Sequence, residues 1–353
     1  MSTKSKSATV GAVSFPPWGF MKPLYAEAVD GKPPKKFRLR DGTLPTTAQW
    51  TAWLDDLADD LSAFLWPRYT KGAWVGAASS WMTELSVADL ALMPALALQL
   101  DALIGSTSLT HKALFVAEDE APPSITGFLH YHPAAKTPML KKMPALIAEG
   151  GGAFAGPVSL CIKQRMQRPR PYQMAMMLGG AGLKHETANS AITPSLISGH
   201  CIQGAVALVN VVHGLEHWSD GSIVPIDALT LGHLQAFLID GGDRRVFAGV
   251  HYPSDNISSW YCALRMCRHF FFDPAGDLAQ TAVDQDRARA VLWDAVANKS
   301  AVYGAIKRAV AAGTAPELAG PLQRLQDEAA TSAVQVSAVS RAAGRAAGQK
   351  RTR

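Results

Sequence analysis

The sequence predicts an all-α fold: a helical bundle with an irregular N-terminal arm and a C-terminal helical extension. Three observations point there. Apolar residues recur at three- and four-residue spacing over long stretches, and alternating strand-like runs bounded by hairpin turns are scarce. In addition, 48% of the 353 residues are apolar and only 18% are charged, a balance that buries a sizeable core and excludes a disordered chain, a coiled coil or a collagen-like repeat.

The elements follow in order. Residues 1–45 form the arm, rich in Pro, Gly and Lys. Thr46 with Gln49 makes a capping box, and behind it Trp50, Trp53, Leu54, Leu57, Leu61, Phe64 and Leu65 recur at helical spacing until Pro67. Leu85–Ile104 reads as a more buried helix kinked at Pro94. Met139–Ala148 and Ala153–Met166 read as helices separated by Gly150–Gly152, and 167–199 as a long loop. Cys201–Leu215, Asp227–Ile239 and Ser254–Phe272 read as buried helices. Residues 46–273 thus make one helical domain. Residues 274–330 make the extension, where Leu278–Val310 is an amphipathic helix or helix pair, and 331–353 make a low-complexity basic tail.

The formal net charge is +5. Five of the 34 basic residues lie in 331–353, which has no acid, so the rest of the chain balances 29 basic against 29 acidic groups. The excess belongs to the tail, which argues against a nucleic-acid-binding body. Cys161, Cys201, Cys262 and Cys267 form no C-x-x-C pair and sit among apolar neighbours, as buried free thiols do. Leu85–Gly105 is broken by Asp89, Pro94 and Asp101, and Cys201–Leu215 falls short of the ~20 residues a bilayer requires. With no secretory signal in the first residues, the expectation is a cytoplasmic protein that does not span a membrane.

Three segments carry chemistry. The first, Lys163–Pro171, sets Lys163, Arg165, Arg168 and Arg170 within eight residues at the end of an apolar helix. That is either a basic helix end facing water or a cradle of guanidinium forks for an oxyanion. The second, Pro194–His200, enters the helix that follows through Ser198 and Gly199. Backbone N–H groups at such an entry suit an anion, although a serine-capped helix with an incidental histidine reads the same way. The third, Arg245–Asp255, places Asp255 one helical turn after His251, because Pro253 favours a helix start there. A carboxylate at that distance takes the proton of one ring nitrogen and leaves the other nucleophilic; a structural ion pair is the competing reading.

Together, Lys163-x6-Arg170-Pro171, Ser198-Gly199-His200 and Arg245-x5-His251-x3-Asp255 resemble the three-part signature of the type 2 phosphatidic acid phosphatase and vanadium haloperoxidase superfamily. Two positions depart from it: Ile197 stands where Pro is usual, and Arg244 where Ser is usual before Arg245. The resemblance implies the helical fold of that superfamily and a metal-independent phosphatase acting on a small-molecule phosphate ester. Lys163, Arg170, Ser198, Gly199 and Arg245 would bind phosphate; His251 would attack phosphorus, His200 would protonate the leaving alcohol, and Asp255 would orient His251. No metal and no cofactor is implied for this activity. The alternative is a haloperoxidase using vanadate in the same pocket. Leu160 and Thr193, where haloperoxidases tend to carry aromatics, favour the phosphatase. A third class, a phosphate-binding module recruiting partners through the tail, leaves the two histidines unexplained.

Other features read as structural. His213, Glu216 and His217 lack a third ligand for a metal. His130, His132 and His185 read as loop residues, and Trp50, Trp53, Trp66, Trp74 and Trp81 as packing groups. Arg244 reads either as exposed or as a receptor for a second substrate charge.

Overall fold

The computed structural model describes residues 9–10, 13–14, 32–33, 37–39, 42–65, 69–70, 73–74, 78–104, 158–179, 191, 193–205, 227–272 and 278–331. Helices dominate. In chain order they are α1 (Thr47–Leu65), α2 (Ala78–Ile104), α3 (158–166), α4 (Pro171–Met177), α5 (199–205), α6 (Ala228–Phe247), α7 (Pro253–His269), α8 (Leu278–Lys299), α9 (Ala301–Ala311) and, after a 3₁₀ turn at Pro316–Leu318, α10 (319–331). The fold is all-α, as the periodicity predicts.

Local chemistry sets the helix ends. Thr46 N–H donates to Gln49 Oε1 at 2.9 Å and Gln49 N–H to Thr46 Oγ1 at 3.2 Å, the reciprocal pair of a capping box. Ser300 Oγ accepts from Tyr303 N–H and splits the C-terminal amphipathic stretch into α8 and α9. Pro94 lies inside α2, which runs through it as one element. Two readings are corrected. The stretch expected to continue α7 to Phe272 becomes a strand at Phe270–Phe272, pairing antiparallel with Phe37–Leu39 of the arm, because three consecutive phenylalanines suit a pleated surface. The expected loop 167–199 contains α4, which starts with Pro171 at its first position and Gln173 Oε1 accepting from Arg170 N–H at 2.8 Å. Met139–Ala148, His130, His132, His185, His213, Glu216, His217 and Trp66 lie outside the described residues.

One apolar core runs through the molecule, from Trp50, Leu57 and Phe64 of α1 through Trp260 of α7 to Leu292, Ile306 and Leu325 of the C-terminal helices. All four cysteines are buried free thiols. Glu84–Ala102 of α2 is long and apolar enough to cross a membrane, with 39% of it buried inside the fold. Its Asp89 is fully buried.

Two glycines let α5 and α6 cross closely. A Cβ on Gly204 would stand 3.2 Å from the Leu238 carbonyl oxygen, and one on Gly242 would stand 2.5 Å from Cys201 Sγ. This crossing sets the start of α5 beside the last turns of α6, where two of the three chemical segments lie. Gly242→Ala should therefore destabilise the fold by about 1–3 kcal/mol, the usual cost of overpacking a filled core. A urea-denaturation midpoint unchanged from the parent would contradict the crossing.

Candidate active site

The site begins with a helix end. Residues 244–250 close α6 in a Schellman arrangement: Gly249 N–H donates to Val246 O at 2.9 Å and Val250 N–H to Arg245 O at 3.1 Å. Gly249 takes φ 77°, a conformation that suits glycine. The chain thereby folds back on the last turn, and His251 N–H also reaches Arg245 O, at 3.3 Å. Two residues later Pro253 starts α7. Asp255, in the first turn, accepts the Tyr252 N–H at 3.0 Å, the side-chain half of a capping box, and sits where the helix dipole favours a carboxylate.

His251 Nδ1 lies 3.2 Å from Asp255 Oδ2, and Nε2 lies 3.0 Å from Arg170 NH1. A guanidinium only donates, so Nε2 must offer its lone pair to Arg170, and the ring proton sits on Nδ1 facing the carboxylate. Burial, reinforced by the Arg170 charge, holds the imidazole well below its ordinary pKa, so the ring is neutral. Burial pushes the Asp255 carboxyl up, but Arg168, His251 and the Tyr252 amide outweigh it and hold it well below the usual carboxylate range. The result is a neutral imidazole of fixed tautomer with its free nitrogen turned toward a cation.

Arg170 is fixed on several sides. Nε donates to Thr193 O at 2.6 Å, NH1 to Val250 O at 2.7 Å and NH2 to Thr193 Oγ1 at 3.1 Å. Lys163 is buried and donates to the Pro194 and Ser195 carbonyls. Burial, and then the charges of Arg170 and Arg245, drive its ammonium well below the ordinary lysine value, with Asp255 opposing. Lys163, Arg170 and Arg245 thus lie within electrostatic reach of one another. Ser198 Oγ is buried without an oxygen or nitrogen partner among the described residues, while Ser198 N–H donates to Ser259 Oγ of α7 at 2.8 Å. Gly199 and His200 open α5, and a Cβ on Gly241 of α6 would come 4.0 Å from His200 Cβ, one turn before Arg245. Lys163, Arg170, Ser198, Arg245, His251 and Asp255 are all buried; His200 is 8% exposed.

The structure resolves several alternatives left open in the sequence. Of the four basic side chains in 163–170, Lys163, Arg168 and Arg170 are buried, and Arg165 turns outward, to Asp55 of α1 at 2.7 Å. Arg244 is not exposed, being buried and paired with Asp240. Arg168, grouped by the sequence with the anion-binding cations, instead pairs with two carboxylates. Arg168 NH1 donates to Asp255 Oδ1 at 2.7 Å, and Arg168 NH2 to Asp89 Oδ2 at 3.0 Å. Asp89 had counted only as a break in an apolar helix, yet a carboxylate on an apolar face demands a buried cation, and that demand was the available signal.

Residues 145–274, which contain all three chemical segments, match the model of the PAP2 superfamily. No curated protein and no solved structure matches the chain.

Buried basic groups gathered beside the His251 ring have the chemistry that suits a tetrahedral oxyanion. Lys163 and His251 have depressed pKa values, burial being the largest cause for each. A bound anion raises both, so the protein takes up protons wherever the pH lies between the anion-free and anion-bound values. Sulfate, which does not itself titrate in this range, should bind at mildly alkaline pH with net proton uptake. Calorimetry in buffers of different ionisation enthalpy reads this directly, and buffer-independent heat would contradict the convergence of these charges.

Proposed function

With residues 145–274 belonging to the PAP2 superfamily, we propose that the chain is a metal-independent phosphatase hydrolysing a small phosphate ester through a phosphohistidine. The observation that carries this reading is the His251 ring, proton on Nδ1 toward Asp255 and lone pair on Nε2 at 3.0 Å from Arg170 NH1. A phosphoryl oxygen taking that Arg170 hydrogen leaves Nε2 aimed at phosphorus.

The steps balance with residues of this chain alone. Phosphoryl oxygens bind Lys163, Arg170, Arg245, the Ser198 hydroxyl and the Gly199 N–H, which neutralise charge and align the group, the two things phosphoryl transfer asks of a protein. His251 Nε2 forms a bond to phosphorus as the phosphorus–ester oxygen bond breaks, and His200 gives its proton to the departing alkoxide. Asp255 stabilises the positive charge that develops on the His251 ring. His200, now neutral, takes a proton from water; the hydroxide attacks phosphorus, and the bonding pair returns to Nε2. Inorganic phosphate leaves.

Vanadate, being tetrahedral and able to expand to five-coordination, suits the same residues, the Ser198 hydroxyl included, and when bound it supplies peroxide activation in the superfamily's haloperoxidases. Here it is expected to act as an inhibitor. Hydrolysis of an aryl phosphate should survive EDTA, be blocked by vanadate, and give no bromination when peroxide and bromide are added to vanadate-loaded protein. Loss of activity on chelation contradicts the metal-free chemistry, and bromination assigns the haloperoxidase reaction instead. His251→Ala should form no phospho-enzyme on alkaline denaturing quench, conditions in which a phosphorus–nitrogen bond survives. His200→Ala should slow turnover by roughly 10²–10⁴-fold, the usual contribution of a general acid, while still trapping one; the reverse pattern exchanges the two histidines.

A further inference from the structure

We propose that Arg168, held by Asp89, is a positioning residue that fixes the Asp255 carboxylate and, through it, the His251 ring. The inference rests on His251 being the nucleophile and adds two residues that lie outside the three signature segments' acting side chains.

The Asp255 carboxylate divides its two oxygens. Oδ2 takes the His251 Nδ1 proton and the Tyr252 N–H; Oδ1 takes Arg168 NH1 at 2.7 Å. Arg168 NH1 also donates to Ser254 Oγ at 2.8 Å, and its guanidinium lies 3.8 Å over the Tyr252 ring. Asp89 of α2 takes Arg168 NH2 and grips the same helix start, accepting the Ser254 N–H at 2.9 Å and the Ser254 hydroxyl. The first turn of α7 is therefore clamped by one residue from α2 and one from the segment joining α3 to α4. A lysine could not do this, because a single ammonium lacks the planar fork that reaches Asp255, Ser254 and Asp89 at once.

The arrangement near Arg170 points the same way. Residues 167–170 are non-helical, Arg170 is extended at φ −67° and ψ 156°, and Arg168 O accepts the Ser195 N–H at 2.9 Å. Two arginines two residues apart thus grip opposite ends of one dyad: Arg170 at His251 Nε2, Arg168 at the far oxygen of Asp255. A fully buried ion pair is weak evidence of stabilisation, since well-packed apolar residues commonly serve as well or better. What Arg168 and Asp89 supply that apolar side chains cannot is a fixed orientation for a buried carboxylate.

The test compares Arg168→Gln, Arg168→Lys and Asp89→Asn in the full chain, each first checked for a cooperative thermal transition. Steady-state kinetics on an aryl phosphate are paired with NMR of ¹⁵N-histidine-labelled protein, the His251 Nδ1–H resonance being assigned by its loss in His251→Gln. Arg168→Gln should lower kcat by about 10–100-fold, the scale on which groups behind a directly acting ligand matter, with KM little changed, and should shift or broaden the Nδ1–H resonance. Arg168→Lys should recover part of kcat. Asp89→Asn, close to isosteric, should move both readouts in the same direction and serves if Arg168→Gln does not fold. A folded Arg168→Gln or Asp89→Asn that loses thermal stability but keeps kcat and the resonance makes the cluster a structural ion pair and overturns the proposal. If His251→Gln instead retains activity, the phosphohistidine reading fails, while the resonance in the Arg168 variants still decides whether Arg168 holds the ring.

Discussion

A single hydrogen bond, from His251 Nδ1–H to Asp255 Oδ2, organises the pocket, because it decides which imidazole nitrogen is free. The bond exists because α6 ends in a glycine-mediated reversal and α7 starts two residues after the histidine, so that one helical turn separates the ring from the carboxylate. Everything on the other side of the ring follows from it. Arg170 meets a lone pair rather than a proton, and the loop at 193–195, through Thr193, Pro194 and Ser195, ties Arg170 and Lys163 to the approach to α5.

Such a concentration of charge in an apolar interior is costly, and the fold offsets it by pairing. Asp255 and Asp89 share Arg168; Arg244 has Asp240; Arg289, deep in the C-terminal helices, has Glu328 at 2.9 Å. Two groups beside the His251 ring and at the start of α5 differ. Lys163 rests on backbone carbonyls rather than a carboxylate, and Ser198 Oγ has no oxygen or nitrogen partner among the described residues. Buried basic groups short of negative charge are the kind of surroundings that suit an anionic ligand. Asp243 shows the contrast: just as buried, it is committed to structure, capping α9 through Ser300 and the Ala301 and Val302 amides while burial pushes its carboxyl up to about 7.

Much of this was legible in the sequence because the signals are local. The Thr46–Gln49 cap, the spacing of Trp50, Leu54, Leu57 and Leu61, and the i, i+4 separation of His251 and Asp255 are each contained within a turn or two of helix. Long-range partnerships were not legible. Nothing around Asp89 announces Arg168, 79 positions away, and the pairing of Phe37–Leu39 with Phe270–Phe272 joins segments with no local cue beyond β-propensity. Helix α4 was missed because Pro and Gly around it suggested a loop, while Pro171 in fact stands where proline starts a helix. Burial of the 163–170 cluster was equally invisible, because a run of basic residues reads alike whether it meets water or an enclosed pocket.

The central claim is that His251 Nε2 is the atom presented to a tetrahedral oxyanion bounded by Lys163, Arg170 and Arg245. A crystal structure of the protein soaked with vanadate tests it most directly. The account predicts vanadium bonded to His251 Nε2, with its oxygens on the three basic side chains and on Ser198. Vanadium bonded to His200, or bound away from residue 251, would contradict it.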